Sequence, residues 1–439
     1  MKNDVLKKPT VPSKILRQGE KLITPDNPII PYIIGDGIGH DIWKATKPVL
    51  DTATALAYEN HRSLHWKEVQ FGEQALAMSG SRLPSDTINA FREFAVGMKG
   101  PLSTPVGEGF RSLNVSLRRE LDLYICMRPI EWIPGSPSPV CHPERVNMVI
   151  FRENTEDIYT GIEFESESEN NHAFMSWLRS NYPDQYEKIR FPDSSGIGIK
   201  PVSQQGSHRL VRAAIKYALS KNRRRLTLVH KGNIMKFTEG AFANWGYDLA
   251  ESEFMNQVFT QRQYQILKKV SGEDYANECQ LKAVNEGKLI INDVITDAAF
   301  EQTMTRPEDF DVIVTTNLNG DYLSDALSAQ VGGLGIAPGV NLNSEENIAI
   351  FEATHGTAPT LAGKNIANPC SLILSGALLL EYIGWQKAAE LVRRSIQAVL
   401  KEGIMTLDFH RNITGSTLVS TTDFGQAIIR RMPQEITHL

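Results

Sequence analysis

An apolar, β-type run at residues 29–34 ends at Gly35-Asp36-Gly37-Ile38-Gly39-His40 and gives way to a helical pattern through Lys44 and Leu50. The alternation then recurs along the chain. Residues 146–151, 225–229, 289–291, 311–316 and 348–353 are rich in β-formers, while 206–219, 241–254, 322–331 and 371–383 carry helical spacing. Strands alternating with helices predict an α/β protein rather than an all-β one. Two stretches read as solvated insertions between core elements: the acidic, polar 165–171 and the charged 256–287.

With 439 residues, 41% of them hydrophobic, the chain has material for about three structural units and a large core. Lys plus Arg number 46 against 51 Asp plus Glu, a net charge of -5, which argues against nucleic acid as a partner. The first ten residues carry charges but no apolar run of leader length after them. The longest uncharged apolar stretch, 372–380, is ended by Glu381 and is too short to span a bilayer, so no membrane partner is expected. Cys126, Cys141, Cys279 and Cys370 lie far apart with no Cys-x-x-Cys pair, a pattern expected of a reduced, cytoplasmic protein.

Several segments carry chemistry. The first glycine turn has the right context for a dinucleotide fingerprint, but His40 stands where G-x-G-x-x-G needs its third glycine. A tight strand-to-helix turn explains it better, and any dinucleotide must bind elsewhere. In residues 111–123, Leu113, Leu117 and Leu121 recur every four residues and form a core-facing stripe, while Asn114 and Arg118 share another, with Ser112 at the first turn. Arg128 and Arg152 follow at the edges of strand-like runs, and three such guanidinium forks suit carboxylates.

Asp321 and Asp325, four apart at an expected helix start, put two hard oxygen donors on one face, and Asp293 is a possible third. Lys231 directly follows a strand and Tyr159 sits in Glu156-Asp157-Ile158-Tyr159. Taken alone, Lys231 reads better as a surface lysine, and Tyr159 reads equally well as a hydrogen-bonded core tyrosine. Thr354-His355-Gly356-Thr357-Ala358-Pro359 is a small-residue loop whose backbone N–H groups can approach a phosphate.

Together, Gly100-Pro101-Leu102-Ser103-Thr104-Pro105, residues 111–129, Phe151-Arg152-Glu153-Asn154-Thr155-Glu156-Asp157-Ile158-Tyr159, residues 228–240, Asn319-Gly320-Asp321-Tyr322-Leu323-Ser324-Asp325 and the loop at 355–359 are recognisable. They resemble the isocitrate/isopropylmalate dehydrogenase family of β-decarboxylating dehydrogenases, and within it the bacterial homodimeric isocitrate dehydrogenases. The resemblance covers nearly the whole chain after about residue 20. It implies an α/β fold that is not a standard Rossmann unit. Residues 1–123 with 333–439 would form a large coenzyme-side domain, 124–156 with 202–332 a small domain, and 157–201 a dimer clasp.

The resemblance also implies roles. Ser112, Asn114, Arg118, Arg128 and Arg152 would bind isocitrate, and Asp321 and Asp325, with Asp293 from the partner, would hold Mg²⁺ or Mn²⁺. Tyr159 and the partner's Lys231 would be the acid/base pair. Ser103, His355, Gly356, Thr357, Ala358 and Asn368 would contact the coenzyme. Where NADP⁺ users of this type carry a Lys-Tyr pair, a Tyr and an Arg, this chain has Thr360, Leu361, Leu407 and Arg411. Only the arginine is kept, no acid stands at Thr360 for NAD⁺, and Ala367 is a small residue of NAD⁺ users, so the lean is to NAD⁺.

In related enzymes the serine matching Ser112 is phosphorylated by a regulatory kinase, although Glu108 here occupies an expected glycine of the neighbouring loop. The competing readings are a 3-isopropylmalate or homoisocitrate dehydrogenase and, from another class, a non-catalytic regulatory subunit. The polar Ser112 and Asn114 favour isocitrate over the first. The intact set Lys231, Tyr159, Asp293, Asp321 and Asp325 argues against the second.

Overall fold

The computed structural model describes residues 11–19, 21–103 and 112–439; Glu108 and its loop lie outside them. One eleven-stranded mixed sheet organises the described residues. Its order is Val258–Thr260, Leu289–Ile295, Arg225–His230, Val312–Thr315, Asn147–Glu153, Ile125–Glu131, Pro338–Asn343, Ile348–Ala353, Val96–Lys99, Ile29–Ile33 and His65–Glu68. The five strands at one end are mutually parallel, as are the four at the other. Antiparallel pairings in the middle join the two blocks, which therefore run in opposite directions. No standard Rossmann sheet has this order.

Strands buried on both faces are near-continuous apolar runs: all four residues of Val312–Thr315 and all six of Ile348–Ala353 are buried. Against the second block, the Cys370–Tyr382, Gln386–Lys401, Thr421–Glu435 and Gly39–Ala57 helices pack around Leu50, Leu379, Trp385 and Phe424. Against the first block, the Gln204–Ser220 and Glu239–Glu253 helices cover Leu226, Leu228 and Val314.

Local differences from expectation have clear causes. The helix expected from residue 322 begins at Asn317, so Asp321 and Asp325 lie in its second and third turns rather than at its start. Part of 165–171 is helix, because Ser168 caps the Glu169–Asn181 helix by accepting from Asn171 N, and Asn171 is buried. The 256–287 segment is not wholly a surface insertion. It starts with the Val258–Thr260 edge strand, where Val258 and Thr260 are buried, and continues as two mostly exposed helices, Gln261–Ser271 and Glu273–Asn285. Among the described residues no helix is long and apolar enough to cross a membrane.

Candidate active site

The Leu113–Glu120 helix buries Leu117 and Leu121, as its four-residue stripe requires, and this turns Arg118 toward the sheet. There the Arg118 guanidinium meets Glu352 at 3.2 Å. In the antiparallel pair of Ile125–Glu131 with Asn147–Glu153, Cys126 lies opposite Arg152 and Arg128 opposite Ile150. Arg128 and Arg152 are therefore diagonal neighbours on one face. Arg128 stands in mid-strand, not at an edge, and both arginines are buried.

These cations converge on the Asn317–Gln330 helix. Arg128 Nη1 donates to Asp325 at 2.8 Å and to Ser324 at 2.6 Å. Arg152 pairs with Asp321, and its Nε donates to Asn317 at 2.8 Å. Tyr159 completes the group by donating to Asp321 Oδ2 at 2.5 Å. Burial pushes the Tyr159 hydroxyl up to about 12, with Arg152 opposing and Asp321 reinforcing, so the phenol holds its proton at neutral pH. Burial works against the Asp321 carboxylate, yet Arg152 and the Tyr159 hydrogen bond hold it below the usual range. Burial raises Asp325 in spite of Arg128.

The pocket has spare binding capacity. Asn114 Oδ1, Arg118 Nε and Arg128 Nε are buried without a hydrogen-bond partner among the described residues. Each such group costs about 1–3 kcal/mol until something satisfies it. A carboxylate-rich ligand satisfies the two arginine N–H donors, while Asn114 Oδ1, an acceptor, needs a hydroxyl or N–H.

Asp293 does not join Asp321 and Asp325 within the chain; among the described residues no three His, Cys, Asp or Glu gather in metal-binding geometry. Its carboxylate accepts from Tyr247 at 2.5 Å and from His230 Nε2 at 3.1 Å. The Gly232 N–H donates to His230 Nδ1 at 3.0 Å, which leaves the neutral ring's proton on Nε2. Lys231 pairs with Asp297 and likewise stands apart from Tyr159. One chain thus offers two hard carboxylates one helical turn apart, a donor set that fits Mg²⁺ or Mn²⁺ but is incomplete alone.

The failed fingerprint acts as a buttress. A Cβ on Gly37 (φ +57°) would lie 2.1 Å from Thr357 O, and one on Gly35 (φ +87°) 2.3 Å from Pro101 O. These glycines let the turn press against two loops instead of cradling phosphate. Ile38 N donates to Thr357 O at 3.0 Å, and Ser103 N donates to Asp36 Oδ2 at 2.8 Å. Ser103 and Thr357 are thereby held against the same turn. His355 is kept neutral by burial, and its Nε2 has no partner among the described residues. Asn368 donates to Asp408 at 3.0 Å, which places it beside Leu407; Thr360 and Arg411 are exposed, and Leu361 packs on the core.

Sequence reasoning missed Glu352, Lys99, Asp408, Asp297 and Glu239. Glu352 was findable: a lone carboxylate in an otherwise uncharged strand is almost always paired. Its partners Lys99, at 2.7 Å, and Arg118 come from distant segments, and no local signal links them.

Buried arginines over paired carboxylates, beside a small-residue loop backed by a glycine turn, make a candidate site for a polyanionic ligand. The chain matches the isocitrate/isopropylmalate dehydrogenase family over residues 29–428 and belongs to that family. It is 54% identical over 419 residues to an isocitrate dehydrogenase [NADP] of Staphylococcus epidermidis, covering 95% of this chain and 99% of that one. An enzyme of the same name from Streptococcus salivarius is 48% identical over 419 residues, with the same coverage. The crystal structure of isocitrate dehydrogenase from Methylococcus capsulatus superposes with a TM-score of 0.73 at 32% identity, over 92% of this chain and 99% of that one.

Proposed function

We propose that the protein converts isocitrate to 2-oxoglutarate and CO₂ while reducing NADP⁺, with Mg²⁺ or Mn²⁺, as a cytoplasmic homodimer with shared active sites. The observation that carries this reading is the convergence of Arg118, Arg128 and Arg152 on Asp321, Asp325 and Tyr159. Arg118, Arg128 and Arg152 bind the substrate carboxylates, and Ser112 and Asn114 select its γ-carboxylate. Asp321 and Asp325 hold the cation, with Asp293 of the partner subunit as third ligand. When bound, the cation would supply Lewis acidity at the reacting end of the substrate.

Lys231 of the partner subunit takes the C2 hydroxyl proton as hydride passes from C2 to the nicotinamide. After CO₂ leaves, Tyr159 gives its proton to C3. Exposed Trp177, Tyr182, Phe191, Ile234 and Phe237 support the homodimer, because so much apolar surface on the clasp and Lys231 loop calls for a partner. The division at 1–123/333–439, 124–156/202–332 and 157–201 belongs to the same reading.

The lean to NAD⁺ drawn from Thr360, Leu361 and Leu407 finds no support, since relatives at 46–54% identity are named NADP enzymes. Exposed Arg411, at the end of the Leu407–His410 helix, is the cation available to a 2′-phosphate. Steady-state assays with Mg²⁺ should give turnover with isocitrate and NADP⁺. Turnover of 3-isopropylmalate in place of isocitrate would overturn the substrate assignment.

Ser112 is the N-cap residue of the Leu113–Glu120 helix and a candidate for a regulatory kinase. A phosphate there adds about -1.5 to -2 charge where the γ-carboxylate sits. Ser112→Asp should therefore raise the isocitrate KM at least tenfold, with the thermal midpoint nearly unchanged. A wild-type KM in that variant would show that Ser112 does not face the substrate.

A further inference from the structure

Behind the catalytic groups lies a buried charge cluster that the reaction itself does not use. The Lys200 ammonium donates to Asp157 Oδ1 at 2.7 Å and forms an ion pair with Glu239 Oε1, also at 2.7 Å. Their side chains are 15%, 1% and 0% exposed respectively. A lysine buried between two carboxylates is costly to assemble, so its geometry is tightly defined.

Each arm of the cluster ends on a functional segment. Asp157 holds φ +68°, a left-handed conformation uncommon for a residue with a side chain, two positions before Tyr159. Its carboxylate accepts from Ile158 N at 2.7 Å and from Leu318 N at 3.0 Å. The second bond caps the Asn317–Gln330 helix, because Thr316 makes no side-chain cap of its own. The Thr316 hydroxyl instead donates to Glu239 Oε1 at 2.7 Å. Glu239 Oε2 accepts from Lys231 N at 2.9 Å and from Asn319 Nδ2 at 2.7 Å. One ammonium therefore fixes the Tyr159 turn, the start of the Asp321 and Asp325 helix, and the Lys231 backbone.

We propose that Lys200, with Asp157 and Glu239, is a positioning centre that sets the catalytic groups of both active sites of the dimer at once. This rests on the shared-site reading above. In that arrangement a chain gives Tyr159, Asp321 and Asp325 to its own site and Lys231 and Asp293 to its partner's. The buried cluster is where the two contributions are tied together. Lys200 touches no reacting atom; it acts through the residues it orders. Misplacing such groups by an ångström can cost about a hundredfold in rate.

The test compares hybrid dimers of one wild-type and one variant chain, isolated by two different affinity tags. A Tyr159→Phe hybrid damages one site and should retain half of wild-type turnover. A Lys200→Met hybrid should fall well below half, toward the Lys200→Met homodimer, because both sites contain an element that Lys200 orders. In that homodimer kcat should drop at least tenfold with the isocitrate KM within threefold, and Lys200→Arg should recover part of kcat. If Lys200→Met does not fold, the Lys200→Arg hybrid is measured the same way, and its activity relative to its own homodimer and wild type decides. A Lys200 hybrid retaining half of wild-type turnover, or a loss that appears in KM alone, would overturn the proposal. Recovery in mixtures of Lys231→Met and Asp325→Asn chains tests the shared-site reading separately, so the two failures are distinguishable.

Discussion

Lys231→Met should lower isocitrate turnover about a thousandfold, within the range that removal of a general base produces. Lys231 follows the Arg225–His230 strand directly, so its backbone is fixed by the sheet and by the Lys231 N to Glu239 bond. Its ammonium lies half-exposed against Asp297, away from the arginine clamp of its own chain. An ion pair that exposed contributes little to stability, so the variant should melt close to wild type. A kcat within tenfold of wild type, with the fold intact, would remove Lys231 from the role of base.

Glu352→Gln should be the most damaging single change to stability, costing about 3–5 kcal/mol at neutral pH, because it strands two cations in the interior. Burial opposes the Glu352 carboxylate, but Lys99 and Arg118 hold it far below the usual range. Its folded-state pKa is depressed, so its contribution is present above the unfolded carboxyl pKa of about 4.3 and is lost as pH falls toward the folded value. Denaturant midpoints of wild type and variant should differ most near neutrality and converge in acid. The isocitrate KM should also rise, since Arg118 loses its anchor. A cost under about 1 kcal/mol at neutral pH would mean that the carboxylate is not the counter-ion of this pair.

The candidate site was legible where its residues lie close in sequence. The four-residue spacing of Leu113, Leu117 and Leu121 sets the helix face that aims Arg118, and the spacing of Asp321 and Asp325 puts both acids on one side of their helix. The broken fingerprint at His40 correctly ruled out a Rossmann site, since the glycines serve close packing against Thr357 and Pro101. Helix starts were less legible. Asn317 begins its helix five residues before the apolar pattern does, because the helix is capped by Asp157, a residue 161 positions away from Leu318. The buried charges Lys99, Glu239 and Lys200 were invisible for the same reason: each finds its partner through the fold. The lean to NAD⁺ is not supported by relatives named as NADP enzymes; it took missing 2′-phosphate contacts as positive evidence for NAD⁺.

The most direct measurement mixes Lys231→Met chains with Asp325→Asn chains, each inactive alone, and follows isocitrate-dependent NADPH formation with Mg²⁺. In a mixed dimer one site joins intact Asp321, Asp325 and Tyr159 to intact Lys231 and Asp293, while the other carries both lesions. After verified subunit exchange, about a quarter of wild-type turnover should return, since half of randomly paired dimers are mixed and each has one intact site of two. No recovery would contradict a shared active site in which Lys231 serves one chain's isocitrate from the other.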